Sequence, residues 1–330
     1  MEQITILYNN EEIYTSSEDF DISLDTQGTY LTGDIEVNWE DRVGTLEETE
    51  WSKISEIAQA GKAGTYWSVG DTKSIKLSGT CGTISLDTTL YVFIIGINHQ
   101  SVNGITLQGF KTASSGGTDV CLADSKNGDR DSSGAKYFTL NHWGGSSYPY
   151  NTNYGGWKGC DARYDILGST NTPPNGYGSI PETDRVGYDA GTTTATNPVP
   201  NTLMSCLPSD LRAVMRPMII YTDNTGNASD TQVNVTTSVD YLPLLAEYEI
   251  FGRISYANQY EQNHQAQYAY YSAGNSTSKK RHSSTGITSG WWERSPAKSG
   301  TGNFCYTIYH CVTQSSASRS SYGLAPMFLV

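Results

Sequence analysis

The chain has 330 residues, of which 37% are hydrophobic, so it can bury one large core or two modest ones. Its net charge of −13 is concentrated in residues 1–50, which carry fourteen acidic side chains and one base, and the rest of the chain is balanced. This asymmetry predicts two functional units and argues against nucleic-acid binding, which requires a basic surface.

Residues 1–44 are predicted to form a small acidic β module. Apolar side chains alternate at Ile4, Ile6 and Tyr8, a pattern typical of a strand. The same start lacks the basic region and long apolar core of a signal peptide, and no stretch reaches the ~18 apolar residues of a membrane-spanning helix. We therefore expect a protein that is made in a cytoplasm and does not insert into a membrane.

Two helices are predicted in residues 45–330. The first spans roughly residues 47–60, has an acidic first turn and ends at Gly61. Its apolar face is formed by Trp51, Ile54, Ile57 and Ala58. The second helix is expected to begin with Ser209 as its capping residue and to be stopped by Pro217.

Strands are expected around residues 65–77, 90–98 and 105–111, and the last two are joined through Asn103-Gly104. Residues 112–200 are rich in turn-forming glycine, proline, asparagine and serine. Short strands, two helices and a long loop-rich region predict an α+β fold.

Neither a metal site nor a cofactor is predicted. The five histidines lack a paired spacing such as HxxxH, so zinc is not expected. Asp124, Asn127, Asp129 and Asp131 miss the spacing of a calcium loop and lack its paired glutamate, which favours a solvated turn. The six cysteines show no CxxC pairing, so mostly reduced and buried thiols are expected.

Two polar segments leave alternatives open. Five tyrosines interleaved with amides either pack in the core or widen a binding face. They are Tyr256, Tyr260, Tyr268, Tyr270 and Tyr271. The basic run Lys279–His282 favours a solvated loop over a polyanion site.

The last forty residues combine blocks that look constant with a mixed stretch. The blocks are Trp291–Pro296, Asn303–Cys305 and Gly323–Val330. Residues 306–322, between the second and third blocks, mix aromatic, basic, small and thiol side chains without strand alternation or helical spacing. This pattern indicates a segment that is displayed rather than packed.

These blocks resemble the C-terminal variable region of proteins served by diversity-generating retroelements, many of them from phages and prophages of gut bacteria. Further matching blocks lie at Gly156–Asp161, Leu207–Leu211 and Tyr248–Gly252, so the resemblance covers most of residues 50–330. The segment 23–37 resembles a short module of phage tail and baseplate-associated proteins.

The family resemblance implies a C-type lectin-like fold for residues 45–330, with a variable region at residues 291–330. In that fold the N- and C-terminal strands pair. Residues 324–330 are therefore expected to form a buried strand that holds the variable segment in place, with Trp291 and Trp292 packed beneath it.

In this family, error-prone copying of template adenines produces NNC or NNT codons, which cannot encode Trp, Lys, Gln, Glu or Met. Trp291 and Gln314 therefore belong to the constant frame. The nine positions predicted to form the variable ligand-binding face are Tyr306, Ile308, Tyr309, His310, Ser315, Ser316, Ser318, Arg319 and Ser321. Tyr306 and Tyr309, with Tyr322 in addition, would supply rigid contact area.

The resemblance implies a non-enzymatic receptor-binding protein of the phage tail, synthesised in the bacterial cytoplasm and carried on the virion. Its expected partners are a bacterial cell-surface protein or glycan, other virion tail proteins contacted through residues 1–44, and a second copy in a homo-oligomer. One alternative is a fixed-specificity structural tail or baseplate protein. A third is an enzyme, either a glycan-processing enzyme or one of the formylglycine-generating type, whose thiol pair Cys305 and Cys311 resemble.

Overall fold

The chain divides into two compact units, Met1–Val43 and Gly44–Val330. In the computed structural model, the described residues are 43–124, 138–140, 153–170, 195–308 and 322–330, with the backbone of 4–8, 11–16, 24–25, 28–29 and 311–316. In the first unit, β1 (Ile4–Tyr8) pairs antiparallel with β2 (Glu11–Ser16), and β3 (Leu24–Asp25) with β4 (Gly28–Thr29). The strand predicted from alternation at the start of the chain is confirmed.

The second unit contains seven described helices and twelve described strands. The helices are α1 (Trp51–Gln59), α2 (Ala63–Tyr66), α3 (Asp161–Asp165), α4 (Leu203–Cys206), α5 (Ser209–Val214), α6 (Glu247–Phe251) and α7 (Ala269–Ser272). The strands are β5 (Thr72–Cys81), β6 (Ile84–Ile97), β7 (Ile105–Lys111), β8 (Val120–Cys121), β9 (Met218–Asp223), β10 (Val235–Asp240), β11 (Lys279–Arg281), β12 (Ser284–Ser289), β13 (Trp291–Pro296), β14 (Asn303–Ile308), β15 (Cys311–Ser316) and β16 (Met327–Leu329). The fold is α+β, as predicted, with more strand than helix.

Helix α1 confirms the predicted amphipathic pattern, because the four apolar residues predicted for its inner face are buried. The predicted acidic first turn is wrong, since the helix begins at Trp51 and the acidic stretch Glu47–Glu50 precedes it. Gly61 follows the helix with φ of +74°, and its N–H donates to the carbonyl of Ala58, so it ends the helix as predicted. In α5 the predicted cap is wrong, because Ser209 is already helical and makes no side-chain cap.

A four-stranded antiparallel sheet in the order β16-β7-β6-β5 forms the centre of the second unit. The expected pairing of N- and C-terminal strands is wrong for the described strands, because β5 and β16 lie at opposite edges. Strands β5 and β6 join through a tight turn at Gly82, and all of β5 pairs with residues 84–93 of β6, which leaves the outer edge of β7 for the terminal strand. Phe328 then packs its ring edge-on against Trp51 of α1, with centroids 6.4 Å apart.

Smaller sheets surround this centre: β9 with β10, β12-β11-β8, and β13-β14-β15. The terminal strand is buried, as expected, and a carbonyl of the preceding segment, that of Pro326, accepts a hydrogen bond from Gly109 of β7. Within the part of the chain that the structure describes, no helix is long and apolar enough to cross a bilayer.

Candidate ligand-binding face

Strand β13 forms the floor of the candidate face. All six of its residues are buried, including its two charged side chains. The indole N–H of Trp291 donates to the carbonyl of Thr277 at 2.9 Å, and that of Trp292 donates to the carbonyl of Phe138 at 3.0 Å. Both indoles are therefore fixed by directed hydrogen bonds as well as by packing.

Strands β14 and β15 form a β-hairpin that continues the same sheet, with β14 next to β13. Tyr306 pairs with Trp292 of the floor on one side and with Thr313 of β15 on the other. Residues 306–322 show no strand alternation in sequence, yet part of this stretch lies in β14 and β15. The hairpin ties the displayed segment to the floor through backbone pairing that does not depend on side-chain identity.

Side-chain composition concealed this hairpin because polarity and burial do not agree in β14. Thr307 is polar but wholly buried, since its hydroxyl donates to Oε1 of Glu293 at 2.6 Å. Ile308 is apolar but partly exposed. When an inward-pointing side chain is polar and its hydroxyl is hydrogen-bonded to a buried carboxyl group, the strand shows no alternation of apolar residues in its sequence.

Two of the nine predicted face positions have described side chains. Tyr306 and Ile308 are both partly exposed, and they alternate along β14 with the buried Cys305 and Thr307. Because successive strand residues point to opposite sides, Tyr306 and Ile308 share the outward side of the sheet.

The other predicted positions are located only in part. In β15, the backbone of Ser315 pairs with Phe304 and that of Ser316 pairs with Asn303. Five positions lie outside the described residues: Tyr309, His310, Ser318, Arg319 and Ser321.

Tyr322 joins the face although it is not one of the nine positions. Its ring stacks on that of Tyr306, with centroids 4.0 Å apart and an interplanar angle of 23°. Trp292 lies edge-on to both rings, 6.2 Å from Tyr306 and 5.0 Å from Tyr322. Trp292 therefore packs beside Tyr306, its direct partner in the adjacent strand.

Gly290 makes this arrangement possible. A Cβ atom at this position would lie 2.8 Å from a ring carbon of Tyr322 and 2.9 Å from one of Tyr306. The residue before the Trp291-Trp292 pair must therefore be glycine if both rings are to keep their places. The glycine directly before the two tryptophans was the only feature of the sequence that could have indicated this packing of the two tyrosine rings.

A buried ion pair anchors the floor to the rest of the domain. Arg294 donates from both terminal nitrogens to the carboxylate of Glu249 at 2.6 Å, and its Nε donates to the hydroxyl of Thr222 at 2.7 Å. Such a two-pronged, fully buried pair fixes geometry, and removal of one partner leaves the other charge without compensation. Strand β13 is therefore tied to α6 and to β9.

Three further carboxyl groups surround this pair. Glu247 accepts hydrogen bonds from three successive backbone N–H groups, those of residues 255–257. Burial raises the pKa of Glu261 to about 7, even though Ser295 donates a 2.6 Å hydrogen bond to its carboxylate. Burial and the nearby charge of Glu247 raise the pKa of Glu293 well above its usual range.

Two predictions about polar segments are wrong. Lys279 does not lie in a solvated loop: it is buried in β11, with Nζ 5.2 Å from the ring centroid of Phe93 and 5.3 Å from that of Trp291. These aromatic faces stabilise the cation. The predicted solvated turn is wrong for Asp124, which is buried and accepts a hydrogen bond from the backbone of Phe138. Its other residues, Asn127, Asp129 and Asp131, lie outside the described residues.

Of the two alternatives for the tyrosine cluster, packing in the core is correct for three of its five members. Tyr268, Tyr270 and Tyr271 are buried, and Tyr268 stacks on His99 with ring centroids 3.9 Å apart. Only Tyr256 and Tyr260 are partly exposed. The three buried tyrosines therefore do not widen the binding face.

The five described cysteines are free and buried, in agreement with the prediction. Burial raises the pKa of Cys305 well above its usual range, so its thiol stays protonated and is a poor nucleophile. Among the residues with described side chains, no group of three or more histidine, cysteine or acidic residues could hold a metal ion.

Comparison with known proteins found no match for this chain. Family models, curated proteins and solved structures all fail to match the chain.

Proposed function

We propose that this chain is a retroelement-diversified ligand-binding protein, a receptor-binding protein of a phage tail that recognises a bacterial surface protein or glycan through the β14–β15 hairpin. The supporting observation is a contrast within one sheet. Every residue of β13 is buried, whereas Tyr306 and Ile308 of the adjoining strand are partly exposed. Substitutions at outward positions usually change stability by only about ±0.5 kcal/mol, so such a face can vary over a constant floor.

For residues 45–330 we propose a C-type lectin-like arrangement. Its support is a loop-rich α+β unit whose last strand returns to the central sheet beside β7. The partner of that strand departs from the pairing of first and last strands that the resemblance implies. The proposal therefore rests on the terminal blocks and the buried terminal strand.

The acidic unit at residues 1–44 is proposed to attach the protein to the virion through other tail proteins. A face of about nine side chains makes a small interface, so one copy would bind weakly and several copies on one tail would gain avidity. The proposal includes no cofactor and no catalytic residue. The buried, protonated thiol of Cys305 gives no support to an enzyme of the formylglycine-generating type.

The test is a comparison of the gene with its template repeat in the neighbouring DNA. A reverse-transcriptase gene and a near-copy of codons 291–330 are expected nearby. Mismatches between gene and repeat should fall at the nine predicted positions, at template adenines, and should spare the codons of Trp291, Trp292, Lys298, Gln314 and Met327. Mismatches spread equally over floor and hairpin codons, or the lack of any repeat, would favour a fixed-specificity structural tail protein.

A further inference from the structure

The strongest preformed feature of the face is the pair of stacked tyrosines at its base. Tyr306 and Tyr322 come from opposite ends of the mixed stretch, yet their rings lie 4.0 Å apart over a shared indole. Both rings keep part of their surface accessible. A partly exposed aromatic pair that is held in a fixed position can bind a ligand with a complementary apolar surface.

Backbone hydrogen bonds hold both tyrosines in place. The N–H of Gly323 donates to the carbonyl of Gly290 at 2.8 Å, and the N–H of Trp292 donates to the carbonyl of Gly323 at 2.9 Å. These bonds fix the chain directly after Tyr322, just as pairing with Trp292 fixes Tyr306. Rings that are already ordered lose little conformational freedom when a ligand binds, which favours affinity.

The chemistry of the pair favours one class of ligand. Each ring presents apolar carbon surface beside a phenol hydroxyl that can donate or accept a hydrogen bond. A pyranose ring has the complementary pattern, with an apolar C–H face bordered by hydroxyl groups. Ile308 lies two residues from Tyr306 on the same side of β14 and is also partly exposed, which extends the apolar area.

We propose that Tyr306 and Tyr322 form a stacking subsite for a pyranose ring of a surface glycan, with Tyr322 as a contact residue outside the diversified positions. This inference rests on the proposed function and narrows the target from protein or glycan to glycan. Because Tyr306 is itself one of the nine diversified positions, the subsite exists only in variants that carry tyrosine there. The other diversified positions would then select the linkage and substituents of the sugar.

The test uses the full chain and a panel of methyl pyranosides, observed by saturation-transfer NMR and by titration of tyrosine ring signals. At least one pyranoside should bind with millimolar affinity and perturb both ring systems. Tyr322→Ala should weaken that binding roughly tenfold, which corresponds to about 1.4 kcal/mol. Tyr322→Phe should retain most of it, because the stack remains.

Gly290→Ala tests whether the positions of the two tyrosine rings matter, and not only their presence. It keeps both tyrosines but places a methyl group 2.8 Å from the ring of Tyr322, so pyranoside binding should fall as it does in Tyr322→Ala. The matched control is Tyr66→Ala, since Tyr66 is also exposed but lies at the end of α2. Thermal unfolding of each variant establishes whether it is folded.

Three outcomes overturn the inference: no pyranoside binds, binding persists unchanged in Tyr322→Ala, or only N-acetylargininamide binds to the pair. The last outcome would indicate a cationic side chain of a protein target. Adsorption to the phage's host, measured after exchange of the nine diversified residues, separates this failure from failure of the proposed function. If exchange redirects adsorption while pyranosides do not bind, the proposed function stands and only the sugar subsite is wrong.

Discussion

Strands β13 and β14 are neighbours in one sheet, yet their side chains differ in burial. In β13 every side chain is buried, and even its glutamate and arginine are enclosed. In β14 buried and partly exposed residues alternate towards the tip of the hairpin. Under the proposed function, β13 would maintain the stability of the domain while the partly exposed positions of β14 would contact a ligand.

The largest expected effect comes from the indole beneath the tyrosines. Trp292→Ala removes a fully buried side chain and should lower the free energy of unfolding by about 3–5 kcal/mol, because a cavity remains. Ile308→Ser, in the adjoining strand, should change it by only about 0.5 kcal/mol. Chemical denaturation measures both, and equal losses would show that the hairpin is as much core as the floor.

The ion pair of β13 should be nearly as sensitive. Arg294→Met leaves Glu249 buried without its partner and should cost about 3–5 kcal/mol of unfolding free energy. The control is Lys53→Met, which breaks an exposed pair with Glu56 and should cost less than about 1 kcal/mol. If both substitutions have the same small effect, the buried pair does not anchor the floor.

The buried carboxyl groups predict an unusual dependence on pH. The pKa of Glu261 rises from an ordinary 4.5 to about 7, so the folded state holds a proton that the unfolded state releases. Its contribution to stability is present in full below pH 4.5 and is lost as the pH rises through about 7. Glu293, whose pKa is also raised, acts in the same direction.

Urea denaturation between pH 5 and 8 tests this dependence, and Glu261→Gln should flatten the slope because the amide does not titrate. Burial lowers the pKa values of His99 and His282, and these groups act in the opposite direction, so the readout is the difference in slope between the protein and Glu261→Gln. An equal dependence on pH in both proteins would contradict the direction assigned to Glu261.

The smallest effect concerns the contact between floor and hairpin. Thr307→Val removes the hydroxyl that donates to Glu293 and should lower the free energy of unfolding by about 1–3 kcal/mol, since it leaves a buried carboxyl group without this partner. Thr285→Val, at an exposed position of β12, is the control and should change stability by about 0.5 kcal/mol or less. Equal effects would mean that the 2.6 Å contact contributes nothing.

Local periodicity predicted the elements whose stability is local. Helix α1 and the strand at β7 follow from apolar spacing and turn residues, whereas the buried terminal strand was expected from the family resemblance. Contacts distant in sequence were not predictable in this way. Lys279 looks solvated in sequence but is buried because Phe93 and Trp291 stabilise its charge. The pairing of β16 depends on which sheet edge remains free.

The candidate face shows the same limit. The buried Thr307 and the outward Ile308 reverse the usual relation between polarity and burial, so no alternation announced the hairpin. The sequence suggested Tyr322 as a contact residue, but its ring contact with Tyr306, sixteen positions away in the chain, was not predictable. The terminal blocks indicated a floor, but only the fold placed Gly290 beneath both rings.

The most direct test of a recognition hairpin on a constant floor is an exchange of side chains at the nine positions between Tyr306 and Ser321. The exchanged protein would be incorporated into virions and assayed for adsorption to a panel of bacterial strains, alongside the unchanged protein. We expect altered host choice with unchanged incorporation and unchanged thermal stability. Host choice that ignores every exchange in the hairpin, and follows the unit at residues 1–44 instead, would contradict the proposed function.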